Sequence, residues 1–413
     1  MKFYVDYFGC RSNQAEMQEW IHELENSGYE LTGSLAEADF GIINTCCVTE
    51  KAERDVFRFI NRIYRNTTAK WIIAGCSVSK EKQVLASRFK NYFFFDNEEK
   101  AGLVDRIKEL FPVETNLIYH TSFKSRVFLK VQDGCNFRCS FCIVPLLRGK
   151  SRSLLKTDVL RKARRYTALG YKEAVITGIN LSSYGYDLFP RETLLSLIRD
   201  IHDIRGLDII RLSSLDPRFI KYQFIKELSL LPKIADSFHF SIQSGSDSVL
   251  SRMKRGGKSR ENMKILEYFR EFYPQSNLGA DIIAGFPMES EREFKETLAF
   301  VQESPLNYLH IFPFSARSGT PAALMAGVPD KVVRRRIKEL SEINMKKKME
   351  FREKFRGDVL EGILVEENAD YSLLLTRNFL SVRIPPLKGF KKKRVKVKIT
   401  RMLNENLLEG QLV

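Results

Sequence analysis

Apolar residues along this chain fall into two alternating patterns. Short apolar runs, Phe3-Tyr4-Val5, Phe40-Gly41-Ile42-Ile43, Trp71-Ile72-Ile73-Ala74 and Tyr92-Phe93-Phe94-Phe95, read as strands. Residues 13–26 place Met17, Trp20, Ile21 and Leu24 on one helical face, closed by Ser27-Gly28. Further helices are expected near 50–64 and 98–110. Strand and helix in alternation over residues 1–112 predict a small parallel α/β sheet. After a connector at 113–125 the alternation resumes, with strands expected at 127–131, 174–178, 208–213, 238–242, 279–284 and 308–312. Helices are expected between them near 156–169, 191–203, 218–230, 246–272 and 290–303. Six such units predict an open or partial (β/α) barrel, spanning 121–350 together with a long basic helix that begins near 331. The tail, 351–413, carries short strands near Val359, 363–365, 372–375, 382–384 and 395–399, which suit a small OB-like β-barrel.

Barrels of this kind place functional groups at the C-terminal ends of their strands. Polar and glycine residues gather there: Thr177-Gly178-Ile179-Asn180, Ser213-Ser214, Gln243-Ser244-Gly245-Ser246, Gly285-Phe286-Pro287 and Ser315-Ala316-Arg317. Each alone is an ordinary turn; five in register make a functional rim.

Charge adds a partner class. The chain carries a formal net charge of +16, which fits a polyanion, nucleic acid before a membrane surface. Residues 388–401 hold eight basic residues and no acidic one, a stripe suited to a phosphate backbone. The long basic helix, with Arg334, Arg335, Arg336, Lys346, Lys347 and Lys348, reads equally as a solvated face. No apolar run is long enough to span a bilayer and the N-terminus lacks a signal pattern, so a cytoplasmic location is expected. Seven cysteines in a reducing compartment point to metal or cluster ligation rather than disulfides.

Six of the seven form two sets. Cys135, Cys139 and Cys142 are spaced C-x3-C-x2-C just after an expected strand. Structural zinc takes four closed ligands, and no fourth Cys or His lies nearby; the nearest His is His120. An iron–sulfur cube on three thiolates instead leaves one iron open to a substrate or cofactor. Cys10, Cys46 and Cys76 each follow a strand, and strand ends of a parallel sheet gather at one edge, where ligands bind. The plainer reading is three small buried cysteines. Cys47 reads as packing.

The C-x3-C-x2-C loop, with Phe141 before its last cysteine, resembles the radical S-adenosylmethionine (SAM) superfamily. That resemblance implies that the open iron chelates the amino and carboxylate groups of SAM, whose reductive cleavage yields a 5′-deoxyadenosyl radical. Gly9-Cys10-Arg11 with Asn13-Gln14-Ala15-Glu16, Asn44-Thr45-Cys46 and Ala74-Gly75-Cys76 are similar to the N-terminal motifs of the radical SAM methylthiotransferases. Gln132-Asp133-Gly134-Cys135, Arg148-Gly149, Gln243-Ser244-Gly245-Ser246 and Asp281-Ile282-Ile283-Ala284-Gly285-Phe286-Pro287 follow the same family, and the tail resembles its RNA-binding TRAM domain. The likeness implies two [4Fe–4S] clusters, one on Cys135, Cys139 and Cys142 and a sulfur-carrying one on Cys10, Cys46 and Cys76. It also implies SAM as cofactor, and Asn180, Ser213 and Gln243 are expected to line the SAM and substrate cavity.

Family branches differ in substrate: isopentenyladenosine-37 of tRNA, an aspartate of a ribosomal protein, or N6-threonylcarbamoyladenosine-37 of tRNA. Gly9-Cys10-Arg11 with Asn13-Gln14-Ala15-Glu16, Gly149-Lys150-Ser151-Arg152-Ser153, Thr177-Gly178-Ile179-Asn180-Leu181, Arg211-Leu212-Ser213-Ser214 and Ser318-Gly319-Thr320-Pro321 resemble the third. The expected activity is therefore 2-methylthiolation of threonylcarbamoyladenosine-37. The expected partners are a tRNA anticodon stem-loop and an electron donor such as flavodoxin or ferredoxin. A nucleic-acid-binding protein with zinc at both cysteine sets is the rival of another class.

Overall fold

The computed structural model describes residues 1–114 and 124–413; most of the connector expected at 113–125, with His120, lies outside the described residues. The N-terminal unit runs β1 (Lys2–Tyr7), α1 (Arg11–Asn26), β2 (Glu30–Leu31), β3 (Phe40–Thr45), α2 (Glu50–Asn66), β4 (Lys70–Gly75), α3 (Cys76–Arg88), β5 (Tyr92–Phe95) and α4 (Leu103–Leu110). Its sheet is parallel, in the order β2-β1-β3-β4-β5. β3 and β4 are central and covered on both faces, which is why they read as unbroken apolar runs. Residues of α1 and α4 bury one face around Phe40 and Leu103. Val56, Ile60 and Leu85 of α2 and α3 bury the other around Trp71. The mainly polar α3 carries no strong periodic signal and was not expected; Gly75, at φ +108°, turns β4 directly into it.

The central unit continues with β6 (Val127–Asp133), α5 (Val144–Arg148), β7 (Arg152–Ser153), α6 (Lys156–Ala168), β8 (Glu173–Gly178), α7 (Leu194–His202), β9 (Ile209–Leu212), α8 (Tyr222–Ser229) and β10 (Ser237–Gln243). Then come α9 (Asp247–Arg252), α10 (Ser259–Phe272), β11 (Asn277–Ala284), α11 (Glu291–Glu303), β12 (Tyr308–Pro313) and α12 (Asp330–Glu353). Two parallel groups, β6-β8-β9 and β10-β11-β12, are joined by the bridges Ile210–Ile234 and Leu215–Phe240. The result is an open half-barrel. Outward residues such as Leu129, Ile176, Ile210, Phe240 and Ile282 pack under the helices. The expected helix 246–272 is two helices, because Lys254 (φ +51°) and Gly256-Gly257 (φ +84° at Gly257) break it. Nor is the α12 face wholly solvated: Arg336 is buried and donates from Nη1 to Glu289 Oε2 at 2.8 Å.

The tail comprises β13 (Val359–Glu367), β14 (Ser372–Thr376), β15 (Ser381–Ile384), β16 (Arg394–Asn404) and β17 (Leu407–Leu412), closed into a barrel in the order β13-β14-β15-β17-β16. The pieces expected at Val359 and 363–365 are one strand. β17, with only Leu408 deeply buried among its apolar residues, escaped the pattern.

Two contacts set the units against one another. β7 pairs with the end of β6 at Gln132 and Asp133, and α1 covers the start of that edge, where Gln18 Oε1 accepts from the Phe128 N–H (2.9 Å) and Gln18 Nε2 donates to the Arg126 carbonyl (3.4 Å). One amide thus caps a strand edge that would otherwise be open to another strand. The β14–β15 turn enters the N-terminal mouth of the half-barrel, where Arg377 Nη2 donates to the carbonyls of Pro232 (2.8 Å) and Ile234 (2.6 Å). No helix among the described residues is long and apolar enough to cross a membrane.

Candidate functional site

The loop after β6 has no regular structure and is held by its neighbours. Gly134 starts it at φ +66°; a Cβ there would lie 2.0 Å from the Lys150 carbonyl oxygen, so glycine is required. The Cys135 N–H donates to the Gly149 carbonyl (3.1 Å), the Ser140 N–H to Met253 (2.9 Å), and the Ala322 N–H to Ser140 (2.8 Å). Phe137 sits edge-on to Phe219 (5.4 Å) with the Arg218 guanidinium 4.4 Å from its ring centre. The loop therefore presents Cys135, Cys139 and Cys142 together. Burial, with the other two thiols adding to it, pushes Cys142 up to about 12.

Of the rim residues expected to line a cofactor cavity, Asn180 lies beside this loop. The Asn180 N–H donates to Gln132 Oε1 at 2.8 Å, and its side chain reaches the Cys135 thiol. Asn180 Oδ1, Ser213 Oγ and Ser214 Oγ are buried without a protein partner. Each such atom costs about 1–3 kcal/mol if left so, and three on one rim fit a polar ligand that completes them. Gln243, half-buried at the end of β10, is held at φ +75°, a conformation that non-glycine residues avoid.

Cys10, Cys46 and Cys76 do converge. Cys10 precedes α1, Cys46 follows β3 and Cys76 opens α3. Asn13 Nδ2 ties the strand ends by donating to the Phe8 and Thr45 carbonyls, both at 2.8 Å, and Thr45 Oγ1 donates to Ala74 at 2.7 Å. Gly9, at φ +88°, leaves room for sulfur: a Cβ there would lie 2.3 Å from Cys46 Sγ. Burial, then the neighbouring Cys10 and Cys76, pushes Cys46 up to about 12. Cys47 packs with Cys76, Ile143 and Leu147, its Sγ donating to the Cys76 carbonyl (3.3 Å).

The two trios are neighbours across α5. Ile143, next to Cys142, packs with Leu147 on Cys76, and Asn97 Nδ2 links Cys76 Sγ (3.6 Å) to the Leu147 carbonyl (2.9 Å). Beside them lies a charge network that sequence reading missed. Glu16 accepts from Lys100 (2.7 Å), Lys130 (2.6 Å) and Arg148 (2.9 Å), and Arg148 also donates to Asp133 (2.9 Å) and Asn13 (2.5 Å). Burial opposes ionisation of Glu16, but its three cations overcome it and hold the carboxyl well below the usual range. Three cations face two carboxylates, and Arg148 also interacts with Cys76 and Cys10. The surplus positive charge suits an anionic, thiolate-bound group.

Neither trio suits a single ion as it stands. Zinc–sulfur bonds of about 2.3 Å draw tetrahedral ligands to within about 4 Å of one another. Among the described residues, the group of His, Cys, Asp or Glu donors lying mutually within 4.8 Å is His239, Asp281 and His310, and it contains no cysteine. A wider body such as a cluster fits the cysteine spacing better. Buried thiols give up their protons only when such a metal group takes them as thiolates.

Of the basic stripe expected at 388–401, Lys396 and Lys398 point outward between buried Val397 and Ile399. Arg394 and Arg401 are paired with Glu361 (2.5 Å) and Glu409 (2.6 Å), and Lys392 lies over the Tyr171 ring (3.8 Å).

Two family models match the chain: residues 2–95 match "Uncharacterized protein family UPF0004", and residues 129–301 match the "Radical SAM superfamily". A threonylcarbamoyladenosine tRNA methylthiotransferase, MtaB, of Aquifex aeolicus is 33% identical over 401 residues, covering 93% of this chain and 96% of its own. A tRNA-2-methylthio-N(6)-dimethylallyladenosine synthase of Desulforamulus reducens is 29% identical over 100% of this chain and 95% of its own. Among solved structures, the radical S-adenosylmethionine methyltransferase TsrM of Kitasatospora setae superposes with a TM-score of 0.57 at 13% identity, covering 78% of this chain and 77% of that one.

Proposed function

The chain belongs to the radical SAM methylthiotransferase family, and we propose that it adds a 2-methylthio group to C2 of N6-threonylcarbamoyladenosine-37 in tRNA. The observation that carries this reading is the pair of cysteine trios on either side of α5, one at a half-barrel rim with unpartnered polar atoms and one beside a positive network. A radical SAM cluster alone would need only the first.

Cys135, Cys139 and Cys142 would hold one [4Fe–4S] cluster, and Cys10, Cys46 and Cys76 the second. Asn180, Ser213, Ser214 and Gln243 would bind SAM. When bound, these groups supply one-electron cleavage of a sulfonium bond and a transferable sulfur. The protein's own part is positional. Gly134 and the hydrogen bonds to Ser140 fix the first trio, and Asn13 and Gly9 fix the second. Arg148 and Lys100 offset thiolate charge, and α1 packs Ala15 onto Phe128 and Val175 of the half-barrel.

Residues 1–112 would form the sulfur-carrying unit, 121–350 the radical SAM core and 351–413 a TRAM-type RNA-binding unit. Lys396, Lys398 and their neighbours would hold the backbone of the anticodon stem-loop. RNA-binding proteins favour such loops because their bases can be splayed out. A small redox protein, flavodoxin or ferredoxin, would supply electrons in the cytoplasm. The dimethylallyl branch is the second reading, favoured by the full-length match at 29% identity. Mass spectrometry of tRNA nucleosides from a strain lacking the gene decides between them. Loss of 2-methylthio-threonylcarbamoyladenosine supports the first reading, and loss of the isopentenyl form overturns it.

A further inference from the structure

The lumen of the half-barrel holds charge that neither cysteine trio uses. Arg11, Arg126 and Arg211 converge on one ring, Phe379 of the β14–β15 turn, their guanidinium carbons 5.9, 5.6 and 5.0 Å from its centre. Glu173 is the carboxylate that Arg126 and Arg211 share. It accepts from Arg211 Nε at 2.8 Å and lies 3.5 Å from Arg126 Nη1. Arg211 is committed further, to the carbonyls of Arg377 (3.0 Å) and Thr376 (3.3 Å). Arg11 has no carboxylate within 4.0 Å among the described residues. Three positive groups thus stand against one negative group.

Across the lumen, Asp281 Oδ1 lies 2.8 Å from His239 Nε2 and 3.5 Å from His310 Nδ1, and the Tyr308 hydroxyl lies 3.1 Å from His239 Nδ1. This trio has the donors for a divalent ion. Its carboxylate is already engaged by both rings, however. Burial, with the charges of His310 and Arg11 adding to it, holds the His239 imidazole below its usual value. A cation would enter a lumen that is already positive; an anion would balance it. The lumen is also open: the inward side chain of His310 is 53% exposed and Phe312 is 39% exposed.

This inference rests on the threonylcarbamoyl reading and deepens it. That N6 substituent ends in a threonine carboxylate, whereas the dimethylallyl substituent is an uncharged hydrocarbon. We propose that Arg11 binds the substrate's threonyl carboxylate through its unpaired guanidinium and thereby sets the choice between charged and neutral N6 substituents. A guanidinium offers a planar fork matched to a carboxylate. Arg126 and Arg211, held by Glu173 and the β14–β15 turn, keep the surroundings positive. Arg11 directly follows Cys10, so one helix start fixes both the anion site and a ligand of the N-terminal trio.

The test uses the reconstituted full-length protein and three anticodon stem-loops. Position 37 carries threonylcarbamoyladenosine, its neutral methylamide, or dimethylallyladenosine. Wild type should prefer the acid to the amide by about 10- to 100-fold in kcat/KM, the range of one charge-assisted hydrogen-bond pair. Arg11→Gln should raise KM for the acid by a similar factor, leave kcat and iron content near wild type, and erase the preference. Arg11→Lys should restore part of it. An unchanged KM in Arg11→Gln overturns the proposal. Should Arg11→Gln lose iron, the wild-type ratio of acid to amide decides: about ten or more upholds the proposal and a ratio near one overturns it. Wild type active only on the dimethylallyl stem-loop refutes the parent reading, whereas activity on the acid with indifference to the amide refutes only this inference.

Discussion

Glu16→Gln isolates the charge network that joins the N-terminal unit to the half-barrel. Glu16 is buried and accepts from Lys100, Lys130, Arg148 and the Asn44 amide, all at 2.6–2.9 Å. Glutamine keeps the shape and removes the charge, leaving three cations with Asp133 as their remaining carboxylate. Breaking a buried pair from one side costs about 3–5 kcal/mol, a large share of the 5–15 kcal/mol that typically holds a domain folded. Both tryptophans of the chain, Trp20 and Trp71, lie in the N-terminal unit, so their fluorescence during urea titration reports its unfolding. With a slope of about 2 kcal/mol per molar urea, the midpoint should fall by about 2 M. Adding Lys100→Met removes one stranded cation and should recover at least half of the loss. The carboxyl of Glu16 titrates below its unfolded value, so its contribution is complete above about pH 4.3 and is lost as pH falls through the lower folded value. Wild type and variant should therefore differ by a constant amount from pH 8 to pH 5 and converge only in acid. A midpoint shift under about 0.5 M at pH 7 would refute the claim that the network carries stability.

Three further outcomes are expected. Cys139→Ala should lower iron from about eight to about four per chain and abolish SAM cleavage; cleavage at the wild-type rate would sink the assignment of that trio. Gly9→Ala would put a Cβ 2.3 Å from Cys46 Sγ at φ +88°; it should lose the N-terminal iron while SAM cleavage without RNA persists, and full iron content contradicts that geometry. Replacing Lys396 and Lys398 by alanine should weaken tRNA binding and flatten the slope of log K against log salt by about 1.5, for two lost phosphate contacts; an unchanged slope moves the RNA elsewhere.

The sequence carried the longer strands of the N-terminal sheet and the half-barrel, since buried strands are apolar runs, but not the two-residue β2 and β7; the two cysteine trios stood out because their spacing is local or tied to strand ends. It did not carry α3, whose polar face resembles a loop, or the break between α9 and α10, where Lys254 takes a left-handed conformation that its residue type does not announce. The Glu16 network and the arginines around Phe379 were beyond it for another reason. Each gathers side chains from three or more distant segments, and no segment alone is unusual. One signal was present, however. Lys130, Glu173, Arg211, His239, Asp281 and His310 each put one charged or titratable side chain on a different, largely apolar strand. The strand register lines them up on one face, and in a half-barrel that face is the lumen.

Helix α1 then explains why the two units hold one orientation. Within four turns it supplies Cys10 to one trio, Arg11 to the lumen, Glu16 to the buried charges and Gln18 to the edge of β6. These four face different surroundings, and all must be satisfied together. A shift of α1 by one residue would turn each by about 100°. Gln18 would then leave the β6 edge open, and Glu16 would be buried without its cations. A chemistry that passes a group between two sites needs a fixed gap between them. Here the gap is set by hydrogen bonds and ion pairs that tolerate no intermediate register, rather than by apolar contact alone, which would allow sliding. The same helix that follows Cys10 thereby fixes the distance of the N-terminal trio from the half-barrel rim.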